Sequence, residues 1–248
     1  MIVNMTVTDK RTNGRIPVMA ARLSITAAIT YQVLLLVLIF MRPELDPSWH
    51  TISEWALGHY GWIMILAFLI SAASYGSLIV ATKSQVRGRT GKIGLFILLI
   101  CTIGTIGVGV FRTDPMPLTA EKGISTIGAL HVIFGTSAFL LLPFAALLLN
   151  LNLARNNQRW ATTRTVVLCT AGLPLLGLAM CLTHLAIFVI PLGQGAYGPD
   201  VPIGWPPRFL FLTYMVWLVT LAWQAIKVQD QTRHGNARDV ASHTKRTS

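Results

Sequence analysis

The sequence predicts an all-α fold: a polytopic membrane helical bundle of about six spanning helices, with both termini on the cytoplasmic side. Three observations lead there: a scarcity of charge, apolar residues gathered into span-length blocks, and a one-sided distribution of Lys and Arg between the loops. Of the 248 residues 53% are hydrophobic and 12% charged, where soluble domains carry roughly 25% charged residues. Mean hydropathy is +0.60. A surface so poor in charge would not stay dissolved in water, so lipid is the expected solvent.

The apolar blocks run over 23–41, 62–82, 93–111, 124–150, 165–191 and 209–226. Each is close to or above the roughly 20 residues that a helix needs to cross about 30 Å of hydrocarbon. The first follows a polar stretch and lacks the small-residue cleavage pattern of a secretory signal, so it reads as a retained span. The connections are too short for a second folded domain. The chain therefore divides into a cytoplasmic N-terminal segment 1–22, a six-helix transmembrane domain 23–227 and a basic cytoplasmic tail 228–248 whose polarity predicts disorder.

Orientation follows from the basic residues, because short loops rich in Lys and Arg are retained in the cytoplasm. Lys10, Arg11, Arg15 and Arg22 precede the first span, and Lys83, Arg87, Arg89 and Lys92 join the second to the third. Arg155, Arg159 and Arg164 join the fourth to the fifth, and Lys227, Arg233, Arg238, Lys245 and Arg246 follow the sixth. The alternate loops hold only Arg42, Arg112, Lys122 and Arg208. Acidic residues are biased the other way: Glu44, Asp46, Glu54, Asp114, Glu121 and Asp200 fall in the outer connections, and Asp9, Asp230 and Asp239 inside. A bacterial source would place such a protein in the plasma membrane.

The net charge of +11 does not indicate nucleic acid, which requires basic residues grouped on one folded face rather than spread over short loops. Cys101, Cys169 and Cys181 all lie inside apolar blocks and read as small core residues, not as a disulfide framework or a metal site. Small residues are frequent in spans two to five, for example Gly76, Gly104, Gly107, Gly128 and Gly177. In lipid these let helices approach closely and gain dispersion contacts. No phosphate-cradling glycine motif, nucleophile elbow or haem-attachment motif is present.

Ionisable groups inside a bilayer are costly and point to function. His131 and His184 both sit roughly 10 Å below the outer boundary, from their positions along spans four and five at 1.5 Å per residue. His50, Glu54 and Asp114 belong to the same half. His50 and Glu54 are four apart and would share a face if Pro47 begins a short helix. Asp114 closes span three, where Pro115 ends the helix.

Three readings of this constellation stand side by side. Glu54 or Asp114 could work as a general acid or base with His131 or His184. His50, His131, His184 and a carboxylate could ligate zinc, although no HExxH-like spacing supports a metal and no cofactor is indicated. The third is structural: each histidine satisfies a carbonyl, and the acids are solvated or paired with arginines.

Arg112 beside Asp114 suggests an ion pair, or a fork for a phosphate or carboxylate. Trp49, Trp55, Tyr60, Trp62, Tyr197 and Trp205 fit an interfacial belt. The stretch 193–208, with Pro199, Pro202, Pro206, Pro207 and four glycines, is expected to be irregular and lid-like.

The run Thr51-Ile52-Ser53-Glu54-Trp55-Ala56-Leu57-Gly58, followed by Gly61-Trp62, resembles the membrane family called domain of unknown function 998. Phe111 to Pro115 at the end of span three and His131 at the start of span four resemble its other recurrent features. The resemblance covers most of the chain, from span one to span six, and implies that Ser53, Glu54, Asp114 and His131 are marked positions. In outline the family is similar to a wider group of Frag1-like, lipid-remodelling membrane proteins, an analogy of fold only.

The leading expectation is a membrane-embedded enzyme acting on a lipid or apolar small molecule at the outer leaflet. Glu54, Asp114, His131 and His184 would move protons, while Ser53, His50 and Arg112 would bind substrate. Hydrolysis, group transfer and acid-initiated isomerisation or cyclisation all remain open. The alternatives are a small or proton-coupled carrier, and a non-catalytic membrane subunit. Membrane lipids are the expected partners, with no nucleic acid.

Overall fold

The computed structural model describes residues 3–118, 123–193 and 195–246, and side chains within 15–231 of those stretches. Glu121 and Lys122 lie outside the described residues. So do the side chains of Asp9, Lys10, Arg11, Arg233, Arg238, Asp239, Lys245 and Arg246.

Six long helices form: α1 (Val3–Met41), α2 (Gly61–Thr82), α3 (Gly88–Val110), α4 (Thr126–Asn156), α5 (Arg164–His184) and α6 (Trp205–Arg246). Among the described residues six helical stretches are long and apolar enough to cross a membrane: Arg15–Met41, Gly61–Thr82, Gly88–Val110, Thr126–Asn156, Gln158–Leu192 and Trp205–Gln231. The protein is a multi-pass integral membrane protein. Its outward side chains are those of a lipid-bathed surface, with Phe40, Phe96, Ile133, Leu176 and Phe209 all more than half exposed.

Each helix packs on its neighbours in sequence, and α1 also packs on α6. Glycine sets the closest approach. A Cβ on Gly104 would lie 2.5 Å from Ser137 Oγ, one on Gly107 2.3 Å from the Phe134 ring, and one on Gly177 2.6 Å from Thr213 Oγ1. Where no water is available, buried hydroxyls bond across helices. Ser24 Oγ donates to the Ser74 carbonyl at 2.9 Å, and Ser74 Oγ returns the bond to Ser24 at 2.8 Å.

A proline inside α4 shows the same accounting. Pro143 has no N–H to give the carbonyl four residues back, and the Tyr214 hydroxyl of α6 donates to that carbonyl, Phe139 O, at 2.6 Å.

The end of the bundle where α2 leaves and α3 arrives is closed by amides. Asn152 and the Arg87 backbone exchange hydrogen bonds. The Gln85 carbonyl accepts from Asn157 at 3.1 Å, and the Gln85 amide oxygen from Trp160 Nε1 at 2.9 Å. The opposite end gathers the α1–α2, α3–α4 and α5–α6 connections, and with them every candidate site residue.

Three expectations change. The helix after Pro47 starts only at Ile52, as a 3-10 helix spanning Ile52–Ala56, so His50 and Glu54 do not share a helical face. Pro206 and Pro207 lie inside the first turn of α6, where a missing N–H costs nothing, so the irregular stretch stops at Gly204. Trp55 is 0% exposed and lies beneath Arg208, in the core and not in an interfacial belt.

Candidate functional site

The short helix Ile52–Ala56 owes its position to Glu54. Thr51 precedes it as the capping residue, and Glu54 reaches back so that Oε2 accepts from Thr51 N at 2.6 Å and from Thr51 Oγ1 at 3.0 Å. The other carboxylate oxygen, Oε1, accepts a short hydrogen bond from the Tyr197 hydroxyl in the α5–α6 connection. Desolvation, reinforced by that bond to Glu54, holds the Tyr197 phenol well above its ordinary pKa. Glu54 is 4% exposed and both of its oxygens are occupied. It fixes the segment that carries Ser53.

His131, 5% exposed, joins three elements. From α4 its Nε2 lies 2.9 Å from Ser53 Oγ, while its Nδ1 lies 2.7 Å from the carbonyl of Phe111 at the end of α3. A carbonyl can only accept, so Nδ1 carries the proton and, in the neutral ring, Nε2 accepts from the Ser53 hydroxyl. The Phe111 carbonyl is available because it lies beyond the last helical turn of α3. Phe111 is held in turn by stacking on Phe134, with centroids 5.4 Å apart and planes within 3°. Phe134 occupies the space that Gly107 leaves open. Ser53 itself is half-buried, and the imidazole behind it is buried.

Asp114 is bonded at the start of α4. Its Oδ2 accepts from Ser125 N at 2.8 Å and its Oδ1 from Ser125 Oγ at 2.6 Å. Ser125 Oγ accepts from Gly128 N at 3.0 Å, so the pair caps the N-terminus of α4. The Ser125 hydroxyl first and the Ser125 N–H second hold the Asp114 carboxyl below its usual range, with a smaller contribution from the charge of His131. A Cβ on Gly128 would sit 2.0 Å from Asp114 Oδ2, so only glycine admits this cap.

The remaining candidates do not converge on Ser53. His184 Nε2 lies 2.8 Å from the Pro202 carbonyl and ties α5 to the α5–α6 connection. His50 Nδ1 lies 3.1 Å from the Asp46 carbonyl, and its ring packs 3.6 Å from Trp49. Tyr197 flanks Trp49 at 5.1 Å and His50 at 6.1 Å. Arg112 is exposed. It forms no ion pair with Asp114, and the ion pair present among the described residues joins Arg42 to Glu44. No three His, Cys, Asp or Glu side chains among the described residues are grouped to hold a metal ion.

Sequence reasoning missed Tyr197 as a partner of Glu54 and Arg208 as a clamp. Arg208 Nη1 donates to the carbonyls of Pro47, His50 and Gly204 at 3.2, 2.9 and 2.7 Å. The signal available was a single arginine in a loop otherwise free of cations, read for orientation and as a possible partner of the outer acids. No curated protein and no solved structure matches this chain. Residues 25–224, which include Ser53, Glu54, Asp114, His131 and His184, match the family described as protein of unknown function (DUF998), and the chain belongs to that family.

Proposed function

We propose that this protein catalyses acyl transfer from a lipid ester at the non-cytoplasmic surface of the membrane, with Ser53 as nucleophile and His131 as its base. The observation that supports this reading is the hydrogen-bonded chain from Ser53 Oγ through His131 to the Phe111 carbonyl, at 2.9 and 2.7 Å. A serine hydroxyl is a weak nucleophile until a base accepts its proton, and a base works best when a third group fixes its tautomer.

In the proposed cycle Ser53 Oγ attacks the ester carbonyl as Nε2 takes the hydroxyl proton. The carbon–oxygen bond to the leaving alcohol then breaks, and Nε2–H supplies that alcohol with its proton. Water or a second hydroxyl attacks acyl-Ser53, again losing its proton to Nε2, and the ester to Ser53 breaks as Nε2–H returns that proton to Ser53 Oγ, which restores the enzyme. The Phe111 carbonyl keeps Nδ1–H bonded throughout.

Glu54, His50 and His184 act as positioning residues for the segments around Ser53. Arg112, exposed next to Phe111, suits an anionic group of the substrate. The basic loops at the opposite end support a cytoplasmic placement for that end and for both termini.

A fluorophosphonate probe applied to the purified protein in detergent tests the reading. The expected adduct is on Ser53, absent in Ser53→Ala and slowed by about 10² or more in His131→Gln. A folded protein that forms no adduct at Ser53 contradicts it, and leaves the carrier and subunit alternatives.

A further inference from the structure

Among the described residues four buried side-chain nitrogens find no acceptor: Gln32 Nε2, Trp55 Nε1, Arg208 Nε and Arg208 Nη2. Three of the four belong to two side chains in contact. Arg208 Cζ lies 4.5 Å from the Trp55 ring centroid, and the two side chains are 9% and 0% exposed. Buried polar groups in folded proteins are nearly always paired, so three orphan donors on two stacked side chains call for an explanation.

The chemistry of the missing partner is narrow. The guanidinium keeps its charge at any working pH, and both residues offer donors only. Neither Glu54 nor Asp46 forms an ion pair with Arg208, since the ion pair among the described residues is Arg42–Glu44. Three carbonyls already fill the donating capacity of Nη1. Glu54 and Asp46 act on the guanidinium through space, but neither bonds its Nε and Nη2 edge. An acceptor with a negative charge satisfies the Nε and Nη2 edge, the indole N–H and the buried cation together.

We infer that Trp55 and Arg208 form a binding site for an oxyanion, a carboxylate or phosphate group, at the head of α6. The level in the membrane suits it, because Arg208 stands in the first turn of a helix that begins at Trp205, where lipid headgroups lie. Residues 47–50 and Gly204 cover the site: Gly204 N donates to the Ser48 carbonyl at 2.9 Å, and a Cβ on Gly204 would lie 2.1 Å from Pro47 O. The anion is either free in solution or the headgroup of an acidic lipid, with the same chemistry in both cases. The inference does not depend on the chemistry of Ser53.

Melting of the full-length protein in detergent is followed while inorganic phosphate replaces chloride at constant ionic strength, and separately in micelles doped with phosphatidylglycerol or phosphatidylcholine. A rise in melting temperature with phosphate identifies a free anion. A rise with phosphatidylglycerol alone identifies a headgroup. Trp55→Phe keeps the ring and removes only its N–H, and about ten-fold weaker apparent binding is expected from it. Arg208→Lys, which keeps the charge and loses the fork, should weaken binding further. The absence of any anion-dependent shift in the wild-type protein, or an undiminished affinity in Trp55→Phe, overturns the inference. Where Arg208→Lys does not fold, Trp55→Phe decides alone.

Discussion

Asp114, Ser125 and Gly128 illustrate how a carboxylate between two helices is drawn into a helix cap. The carboxylate is drawn into the cap of α4 by two donors of Ser125, and the absence of a side chain at Gly128 makes room for it. Because these bonds lower the pKa of Asp114 relative to its unfolded value of about 3.9, its stabilising contribution is complete above that pH. It is lost as the pH falls through the depressed folded value. Acid melting curves in detergent should therefore lose part of their slope below pH of about 4 in Asp114→Asn, and an unchanged slope would show that the cap does not hold α4. Ser53 and His131 take the opposite course. No capping or turn role consumes the Ser53 hydroxyl, whose one described hydrogen bond is to the imidazole.

At the scale of the helices, α4 and α6 show why packing in lipid has to be satisfied group by group. Pro143 orphans Phe139 O, and Tyr214 supplies the missing donor from the neighbouring helix. Tyr214→Phe should cost about 1–2 kcal/mol of stability, the worth of one buried hydrogen bond in a membrane protein. Melting of the variant beside the wild type would check it, with Tyr31→Phe as a control for loss of another buried hydroxyl.

The six spans were legible in the sequence because bilayer thickness fixes their length. The start of α6 was not, because the tolerance of a first helical turn for Pro206 and Pro207 looks in a sequence like a break. The candidate residues Ser53, Glu54, Asp114, His131 and His184 stood out one by one in the sequence, but not which of them meet. What joins Ser53 to His131 is a contact across 78 positions, completed by the backbone oxygen of Phe111. Neither leaves a trace in residue identities, and for the same reason the tie of His184 to Pro202 O could not be foreseen.

Over the whole molecule the polar connections divide by chemistry. Amides close one end of the bundle through Gln85, Asn152, Asn157 and Trp160. The other end brings a serine–imidazole pair, a buried carboxylate and a buried guanidinium within the span of the α1–α2 connection and its neighbours. In the proposed orientation, with the basic loops in the cytoplasm, this second end would face outward, where the proposed lipid ester of the outer leaflet would meet Ser53 at the headgroup level. The most direct test is to add a membrane-impermeant fluorophosphonate to sealed right-side-out and inside-out vesicles and map the adduct by mass spectrometry. Labelling of Ser53 in right-side-out vesicles alone is the predicted result; labelling only in inside-out vesicles, or no adduct on Ser53 in either, would contradict the account.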